Sequence, residues 1–220
     1  MGKLQTTKPL LIMLYGMPGS GKTFFSRQLC EQIRAAHVQG DRIRDELFEK
    51  PTYSKEENHI VASLMAYMTG EFLQAGISVI FDTNAMRLAQ RRGLRNLAIK
   101  SGAHPVLLWL QIDPDSAYKR AGRRDRRKND DQYAQEMEPA IFRELLAGMQ
   151  NPELTENYLV LSGKHVFNTQ KNAVLRYLTE KRLLHLETAS QPFGKPGLVN
   201  LVPNPMAGRV DMTRRNISIR

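Results

Sequence analysis

Residues 10–23, Leu-Leu-Ile-Met-Leu-Tyr-Gly-Met-Pro-Gly-Ser-Gly-Lys-Thr, decide the fold of this chain. The first six residues form a continuous apolar run, which is typical of a buried parallel strand. The next eight fit the pattern G-x-x-x-x-G-K-[ST]. Apolar residues then recur every fourth position, at Phe25, Leu29 and Ile33, and predict a buried helix face. A strand, a glycine-rich loop and a helix in this order build a cradle of backbone N–H groups for phosphate oxygens.

The residue types of this P-loop predict how it would hold ATP. Its glycines permit backbone conformations that bring successive N–H groups toward the phosphates. Lys22 brings a positive charge to the β- and γ-phosphates, and the Thr23 hydroxyl is placed to ligate Mg²⁺. ATP and Mg²⁺ are therefore the predicted cofactors. ATP contacts are predicted at Gly16, Gly19, Ser20, Gly21, Lys22 and Thr23.

Length, charge and cysteine usage narrow the class of protein. The 220 residues suffice for one α/β core, and the formal net charge of +10 favours anionic partners such as nucleotides or nucleic acid. Cys30 is the single cysteine, which excludes an intrachain disulfide and a cysteine-based zinc site. The longest apolar runs are about six residues, too short to span a bilayer. We therefore expect a cytoplasmic enzyme with no membrane association.

Positive charge is concentrated in three parts of the chain. Residues 119–128 hold seven positive residues and one negative residue. The segment 84–100 has no acidic residue, and the tail after Leu186 is also basic. The positive residues of the segment 84–100 are Arg87, Arg91, Arg92, Arg95 and Lys100. Such stretches predict basic surfaces that suit an anionic partner.

Strands and helices alternate along the chain, which predicts a three-layer α/β/α fold with a five-stranded, mostly parallel sheet and a small arginine-rich lid. Strands are predicted at 10–15, 36–39, 77–81, 105–110 and 158–161. Helices are predicted at about 22–35, 42–49, 54–75, 86–101, 133–149 and 170–184. Ser54 is the predicted cap of the third of these, and a further helix is predicted to start at Asp113-Pro114. We predict a P-loop kinase domain over 8–186, with its lid at about 119–132, and a basic, Pro/Gly-rich arm over 187–220.

Two aspartates follow predicted strands, at the sheet edge where ligands of open α/β folds bind. Asp82 follows the third strand, where a carboxylate that holds Mg²⁺ is expected. Asp41 follows the second strand, and it either caps the next helix or accepts a proton from an attacking hydroxyl. Thr83 stands after Asp82 in place of a glutamate that would polarise water. This favours phosphoryl transfer to an acceptor over hydrolysis.

Arginines supply the remaining predicted site. Arg44 lies three residues after Asp41, where it either binds an anionic group of the substrate or remains a solvated surface side chain. Four further arginines follow i, i+3, i+4 and i+7 spacing, which predicts one face of a helix. This face is either a solvated basic surface or a lid that closes over a triphosphate and stabilises the transferring phosphoryl group. The four arginines are Arg120, Arg123, Arg124 and Arg127, and we predict a catalytic role for them together with Lys22 and Asp41.

These motifs, in this order, resemble the P-loop kinase group that includes the kinase domain of phage polynucleotide kinase, with zeta toxins and chloramphenicol phosphotransferase as more distant relatives. The resemblance covers roughly residues 8–186 and implies an adenylate-kinase-like fold. It assigns the catalytic base to Asp41 and a substrate-phosphate contact to Arg44. Thr83 and Asn84 join these two as substrate-binding positions, and the lid arginines correspond to Arg120 and to Arg123 or Arg124. The loop over the adenine corresponds to 162–170, with Lys164 and Asn168 as ATP contacts.

Together these observations predict an ATP-dependent kinase that phosphorylates a hydroxyl group. The preferred acceptor is the 5′-hydroxyl of a nucleic acid, because the predicted surfaces are basic. Few aromatic residues interleave with the arginines, which argues against a stacking platform for bases. A small-molecule kinase acting on a nucleoside, sugar or antibiotic is the first alternative. An ATP-gated nucleic-acid-binding module is the second.

Overall fold

Five strands form one sheet in which every neighbouring pair runs parallel, in the order β2-β3-β1-β4-β5. The structure is a computed structural model and describes residues 2–83, 87–124, 127, 132–134 and 137–185. The strands are β1 (Leu10–Tyr15), β2 (Ala35–Gln39), β3 (Ser78–Asp82), β4 (His104–Gln111) and β5 (Tyr158–Ser162). The predicted five-stranded sheet is confirmed, and it is wholly parallel.

Helices cover both faces of the sheet. They are α1 (Lys22–Gln32), α2 (Gly40–Leu47), α3 (Lys55–Gln74), α4 (Leu88–Lys100), α5 (Pro114–Ala121), α6 (Pro139–Ala147) and α7 (Phe167–Glu180), with a 3₁₀ turn at Leu154–Glu156. Two predicted caps are confirmed. The Ser54 hydroxyl accepts a hydrogen bond from the Glu57 backbone N–H at 3.2 Å, and the Asp113 carboxylate accepts one from the Ser116 N–H at 2.8 Å.

Several helices begin or end away from their predicted positions, and α1 ends at Gln32 and not at about 35. Helix α2 begins at Gly40, so Gln39 is its N-cap residue. Helix α6 begins at Pro139, because proline suits the first helical position, where no N–H partner is needed. Helix α7 ends at Glu180, and Arg182 takes a positive φ of 56° that a right-handed helix cannot continue through.

The central strand β1 divides the core into two layers. All six of its residues are buried. Leu10, Ile12 and Leu14 pack against α1 and α7, in a cluster that includes Phe25 and Val174. Leu11, Met13 and Tyr15 pack on the opposite face with residues of α3 and α4, among them Met65, Leu73 and Ala98. This alternation confirms the three-layer arrangement and explains why β1 is apolar without interruption.

One arginine of the basic segment 84–100 lies inside the protein. Arg91 is only 2% exposed, and its guanidinium donates to both carboxylate oxygens of Glu156, at 2.6 and 2.9 Å. It also lies over the Tyr15 ring, 5.2 Å from the centroid. The prediction of a basic surface is therefore wrong at Arg91, whose charge is neutralised by a carboxylate more than sixty positions away along the chain.

The described core belongs to one compact unit, which spans Met1–Ala189. The predicted arm, 187–220, lies outside the described residues and remains a prediction. The predicted lid, at about 119–132, is described only in part.

Candidate functional site: a phosphate-binding cleft

The P-loop turns tightly between β1 and α1. Gly19 and Gly21 have φ values of 81° and 94°, in the left-handed region that favours glycine. A Cβ at Gly19 would collide with the Ala117 carbonyl of α5, and one at Gly16 would lie 2.5 Å from the Leu110 carbonyl of β4. The loop therefore packs directly against β4 and α5, and this contact fixes the direction of its N–H groups.

The Lys22 side chain folds back onto the P-loop. Its ammonium donates to the backbone carbonyls of Gly16 and Met17, each at 2.9 Å. The pKa of Lys22 is lowered to about 8, chiefly by burial and also by the Arg124 charge, while the Asp82 and Asp41 carboxylates oppose the shift. A partly buried cation whose hydrogen bonds go to neutral carbonyls gains when a phosphate oxygen approaches.

The Ser20 hydroxyl is a second group that the loop leaves available. Ser20 is 1% exposed, and its Oγ has no hydrogen-bond partner among the described residues. A buried hydroxyl without a partner is costly, because it has given up water without replacement. Its position in a P-loop fits the predicted contact with a phosphate or with a water in the loaded site.

Asp82 lies at the end of β3 and joins two other elements. Thr23 Oγ1 of α1 lies 3.4 Å from Asp82 Oδ1, and His37 Nε2 of β2 donates to Asp82 Oδ2 at 2.9 Å. Asp82 is 5% exposed, so the imidazole is a close polar partner of a largely desolvated carboxylate. The Thr23 hydroxyl and the Asp82 carboxylate are oxygen donors of the kind that Mg²⁺ prefers.

His37 is a site residue that sequence reasoning missed. The five histidines are scattered along the sequence, but His37 needs a carboxylate and not a second histidine. The parallel register pairs Gln39 with Asp82, so His37 lies two residues earlier on the same face of the neighbouring strand. That relation could be found only once β2 was known to pair with β3.

Asp41 lies in the first turn of α2 and lines the cleft beside the P-loop. It does not cap α2, because Gln39 holds that position. Its side chain stays open to the cleft. Loss of solvation there raises the pKa of Asp41, and the nearby Asp82 charge raises it further, while Arg124, Arg44 and Lys22 oppose the shift. Of the two readings of Asp41, capping is therefore wrong, and its proton-accepting role remains open.

Arg44 is buried and already paired. It is 7% exposed, donating to Glu57 Oε2 at 3.0 Å and to Asn58 Oδ1 at 2.6 Å. The guanidinium also lies 4.6 Å from the centre of the Tyr53 ring. The reading of Arg44 as a solvated surface residue is wrong. Arg44 still lines the cleft. Its pairing means that a substrate anion must share the guanidinium with Glu57.

The lid arginines do not share a helix face. Helix α5 ends at Ala121, so only Arg120 lies on it, whereas Arg123 and Arg124 follow the helix in a turn. Gly122 ends the helix as its C-terminal cap residue. The structure brings Arg120, Arg123 and Arg124 to the cleft, and Arg127 is exposed and absent from the described lining. The predicted helix face is wrong, although three of the four side chains still meet the cleft.

Arg120 also joins α5 to the loop after β5. Its guanidinium donates to the Gly163 carbonyl at 2.9 Å, and the next residue, Lys164, pairs with Asp113 at 2.7 Å. Lys164 lies at the cleft, as do His165, Val166 and Gln170. Asn168, the other predicted ATP contact of this loop, is exposed on α7 and does not line the cleft. Within the predicted adenine loop, the structure therefore favours Val166 over Asn168 as an exposed apolar wall for a base.

One cleft of about 1390 Å³ joins most of these residues. Its phosphate side consists of the P-loop and the lid arginines, and its far side is walled by Val61 and Met65 of α3 and Leu94 of α4. Thr83 lines the junction between the two sides, and Asn84 lies outside the described residues. This single opening brings together nearly all the residue sets that the sequence placed in separate motifs.

Two negative findings apply to the described part of the chain. No helix there is both long and apolar enough to cross a membrane. No three His, Cys, Asp or Glu side chains there converge as a metal site. A magnesium ion held by Thr23 and Asp82 would therefore need further oxygen ligands, which the phosphates of ATP would provide.

A P-loop after β1, acidic residues after β2 and β3, and a parallel sheet in the order 2-3-1-4-5 define the class of the P-loop kinases, which are ATP-binding phosphotransferases. The chain belongs to the AAA domain family AAA_33, whose pattern matches residues 11–152. No curated protein matches the chain by sequence.

Solved structures agree with the fold. A putative kinase from Chloroflexus aurantiacus has a TM-score of 0.62 at 19% identity, covering 78% of this chain and 100% of that chain. A gluconokinase from Sinorhizobium meliloti 1021 has a TM-score of 0.57 at 17% identity, covering 79% and 94%. A chain of the Pnkp1/Rnl/Hen1 RNA repair complex has a TM-score of 0.53 at 18% identity, covering 67% and 45%. At these identities the likeness establishes the fold.

Proposed function

We propose that this protein transfers the γ-phosphoryl group of ATP to a hydroxyl group of a small molecule. The observation that carries the proposal is the shared cleft, in which Asp41 and the apolar wall of α3 and α4 face the same space as the P-loop. A phosphate cradle alone serves any nucleotide. A carboxylate with a raised pKa beside it, next to a concave wall, supports an acceptor site.

The proposed reaction moves one phosphoryl group and one proton. The acceptor oxygen forms a bond to the γ-phosphorus while the bond from that phosphorus to the β–γ bridging oxygen breaks, and ADP leaves. The Asp41 carboxylate accepts the hydroxyl proton. Lys22 and the lid side chains Arg120, Arg123 and Arg124 stabilise negative charge on the phosphoryl oxygens and on ADP.

Magnesium fits the oxygen donors of this cleft. Thr23 and Asp82 would hold the ion, directly or through water, and it would neutralise charge on the β- and γ-phosphates. His37 would fix the orientation of the Asp82 carboxylate through its 2.9 Å hydrogen bond. The protein itself holds the Thr23 hydroxyl and the Asp82 carboxylate close together at one end of the P-loop.

Two features favour a small acceptor over the nucleic-acid hydroxyl preferred from sequence. The acceptor side of the cleft is walled mainly by aliphatic side chains and small residues, including Val61, Ala62 and Ala66, and the ring of its lining residue Tyr53 already faces Arg44 and is not part of a series of stacking platforms. Arg44 is engaged by Glu57 and is not presented as a free phosphate ligand. The fold shared with a gluconokinase is consistent with this choice.

Nucleic acid remains a second candidate on a different observation. The formal net charge is +10, and the fold also matches a chain of an RNA repair complex. The acceptor would then be a terminal hydroxyl, the only part that needs to enter the cleft. This candidate and the small-molecule proposal predict the same ATP chemistry and differ only in which acceptors are labelled.

The deciding experiment measures transfer of radiolabelled γ-phosphate from ATP to panels of polyols, nucleosides, amino alcohols and 5′-hydroxyl oligonucleotides. We expect label on a small hydroxyl compound and none on the oligonucleotides. Asp41→Asn is the control, since it should remove the labelled product at unchanged ATP binding. Label on oligonucleotides alone would replace the first candidate with the second. Salt-dependent oligonucleotide binding without acceptor-dependent ATP consumption would contradict both kinase candidates and support an ATP-gated binding module.

A further inference from the structure

A second cavity of about 270 Å³ lies away from the P-loop, toward the amino ends of β4 and β5. His104 is the first residue of β4, and Asn157 directly precedes β5. Parallel strands place these ends at the edge of the sheet opposite the P-loop. Leu88, at the start of α4, also lines the cavity, but the cavity and the ATP cleft share no lining residue. The cavity is therefore separate from the ATP cleft.

Exposed cations line this cavity. Arg92 and Arg95 reach it from α4, and Lys181 reaches it from the residues after α7. All three are exposed, and none forms a hydrogen bond or an ion pair with a residue that the structure describes. The Lys181 ammonium lies 5.9 Å from the centroid of the Tyr177 ring, which also lines the cavity.

The acidic residues of the wall are already satisfied. Glu156 accepts from the buried Arg91 with both carboxylate oxygens, at 2.6 and 2.9 Å. Glu156 also accepts from the Glu153 backbone N–H at 2.9 Å, and its carboxylate lies within electrostatic range of Arg92. The cavity is lined by the four cations Arg91, Arg92, Arg95 and Lys181 and by the two carboxylates Glu153 and Glu156, so it keeps an excess of positive charge.

His104 reports the positive potential of this region. Burial lowers the pKa of His104, and the charges of Lys8, Lys181 and Arg95 lower it further. Like charges brought together without a counter-charge repel one another, and an anion that enters among them relieves the repulsion. The floor of the cavity is apolar, with Met13, Pro105 and Leu107, so a bound anion would be partly desolvated.

We propose that this cavity is a second anion site that binds a phosphate group through Arg92, Arg95 and Lys181. The volume suits one phosphate and a small part of the molecule that carries it. The phosphate belongs either to a free phosphorylated metabolite or to the backbone of a nucleic acid. The site does not depend on the proposed kinase reaction, because it uses none of the groups of the ATP cleft.

The test compares two double variants of the full chain that remove the same charge. Arg95→Gln with Lys181→Gln empties the cavity of two cations. Arg34→Gln with Lys55→Gln removes one exposed arginine and one exposed lysine outside both cavities. Both pairs carry Lys22→Ala to weaken phosphate binding at the P-loop. Inorganic phosphate is titrated by calorimetry, and the ring protons of His104 are followed by NMR as a local reporter.

We expect inorganic phosphate to move the His104 resonances and to bind about tenfold more weakly to the cavity variant than to the control, the scale for losing charge-assisted contacts. Equal affinity in the two double variants, or His104 resonances that phosphate does not move, would overturn the proposal. Thermal unfolding verifies that both proteins fold, and the single variant Arg92→Gln repeats the measurement should the double variant unfold.

A single-stranded oligothymidylate identifies the source of the phosphate. If nucleic acid is the ligand, the cavity variant should bind the oligonucleotide more weakly, and the slope of log affinity against log salt should fall by roughly 1.4 for two lost contacts. If a phosphorylated metabolite is the ligand, oligonucleotide binding should equal that of the control while phosphate binding is still lost. Both results support the site, and they differ in what it recognises.

Discussion

The two sides of the ATP cleft are built in different ways. On the phosphate side the contacts are made mainly by the backbone, with glycines whose replacement would collide with Leu110 and Ala117. On the acceptor side the polar groups are side chains that pair with one another, as Arg44 does with Glu57 and Asn58 through its two Nη atoms. A backbone cradle leaves a short sequence pattern, whereas a side-chain pocket can change at each position. This difference explains why the class of reaction can be read from the chain and the acceptor cannot.

Removing the cation of the phosphate side should have the largest effect. Lys22→Ala should abolish measurable phosphoryl transfer and weaken ATP binding while the melting temperature stays close to that of the wild type. Among the described residues the ammonium donates to two loop carbonyls and to no core side chain, so its loss leaves the core intact. Radiolabelled transfer and an ATP-dependent thermal shift measure the two effects. Turnover that survives the substitution would show that the loop is not the phosphate site.

Changing the carboxylate at the junction should have a smaller and more selective effect. Asp41→Asn should lower kcat by about 10²-fold, the scale for a positioned general base, and leave ATP affinity unchanged. Because the pKa of Asp41 is raised by loss of solvation, an ionised Asp41 costs the folded state some stability at neutral pH. The variant should therefore melt no lower than the wild type. Wild-type activity in Asp41→Asn would place the base elsewhere.

The raised pKa of Asp41 also predicts how activity depends on pH. The carboxylate is the active form, so kcat/KM should fall as pH falls through the pKa of Asp41 in the free enzyme. Desolvation and the Asp82 charge place that fall at a higher pH than for an ordinary aspartate, whose pKa is about 3.9. Lys22, Arg44 and Arg124 act in the opposite direction. A profile that stays flat down to the ordinary aspartate range would contradict the assignment of the base.

Much of the fold follows from the sequence, because its signals are local. The apolar run of β1, the Ser54 cap and the Asp113-Pro114 start are decided by neighbours within four residues, and all three are confirmed. The prediction of one lid helix through Arg127 is wrong because it used local spacing alone. Spacing alone placed arginines on one face through Arg127, but α5 ends at Ala121.

The contacts that sequence reasoning missed are long-range ones. Arg91 pairs with Glu156, and His37 pairs with Asp82, in both cases across more than forty positions. A positive residue in a segment without acidic residues is predicted to lie on the surface, because the carboxylate that pairs with it in the fold is distant in sequence. The acceptor pocket has the same origin, since its wall combines α3 and α4 with residues near the ends of β2 and β3. Such pairings depend on strand order and register, which no single segment encodes.

Breaking the main side-chain pair of the acceptor side should affect stability as well as binding. Glu57 accepts from Arg44, from Thr52 and from the Tyr53 backbone N–H, so Glu57→Gln removes the charge that neutralises a buried guanidinium. We expect the melting temperature to fall by roughly 5 °C, in line with the loss of one partner of a buried pair. The KM for the acceptor should rise more than the KM for ATP. Glu56→Gln, on the exposed side of the same helix, is the matched control.

Arg44→Lys then separates the two roles of this arginine. A lysine keeps the charge opposite Glu57 but not the planar set of donors. If Arg44 only supports α3, Arg44→Lys should leave both the melting temperature and the acceptor KM close to their wild-type values. If Arg44 also contacts the acceptor, the melting temperature should stay close to the wild-type value while the acceptor KM rises. Equal KM changes for ATP and acceptor in both variants would show that the pair belongs to the phosphate side.

The smallest effect is expected at His37, the residue of strand β2 that contacts Asp82 on the phosphate side. Its 2.9 Å hydrogen bond orients Asp82, and loss of such a support typically weakens metal affinity by about tenfold. His37→Ala should therefore raise the Mg²⁺ concentration needed for half-maximal rate by about tenfold, with little change in kcat at saturating Mg²⁺. Calorimetric titration of Mn²⁺ into the ADP complex gives a readout that does not depend on turnover. His37→Asn, whose amide can still donate toward the carboxylate, should recover much of the affinity, and His59→Ala on the exposed face of α3 should change nothing. Unaltered metal affinity in His37→Ala would mean that Asp82 is held in place by β3 alone, and that this part of the phosphate side, like the P-loop, needs no side-chain support.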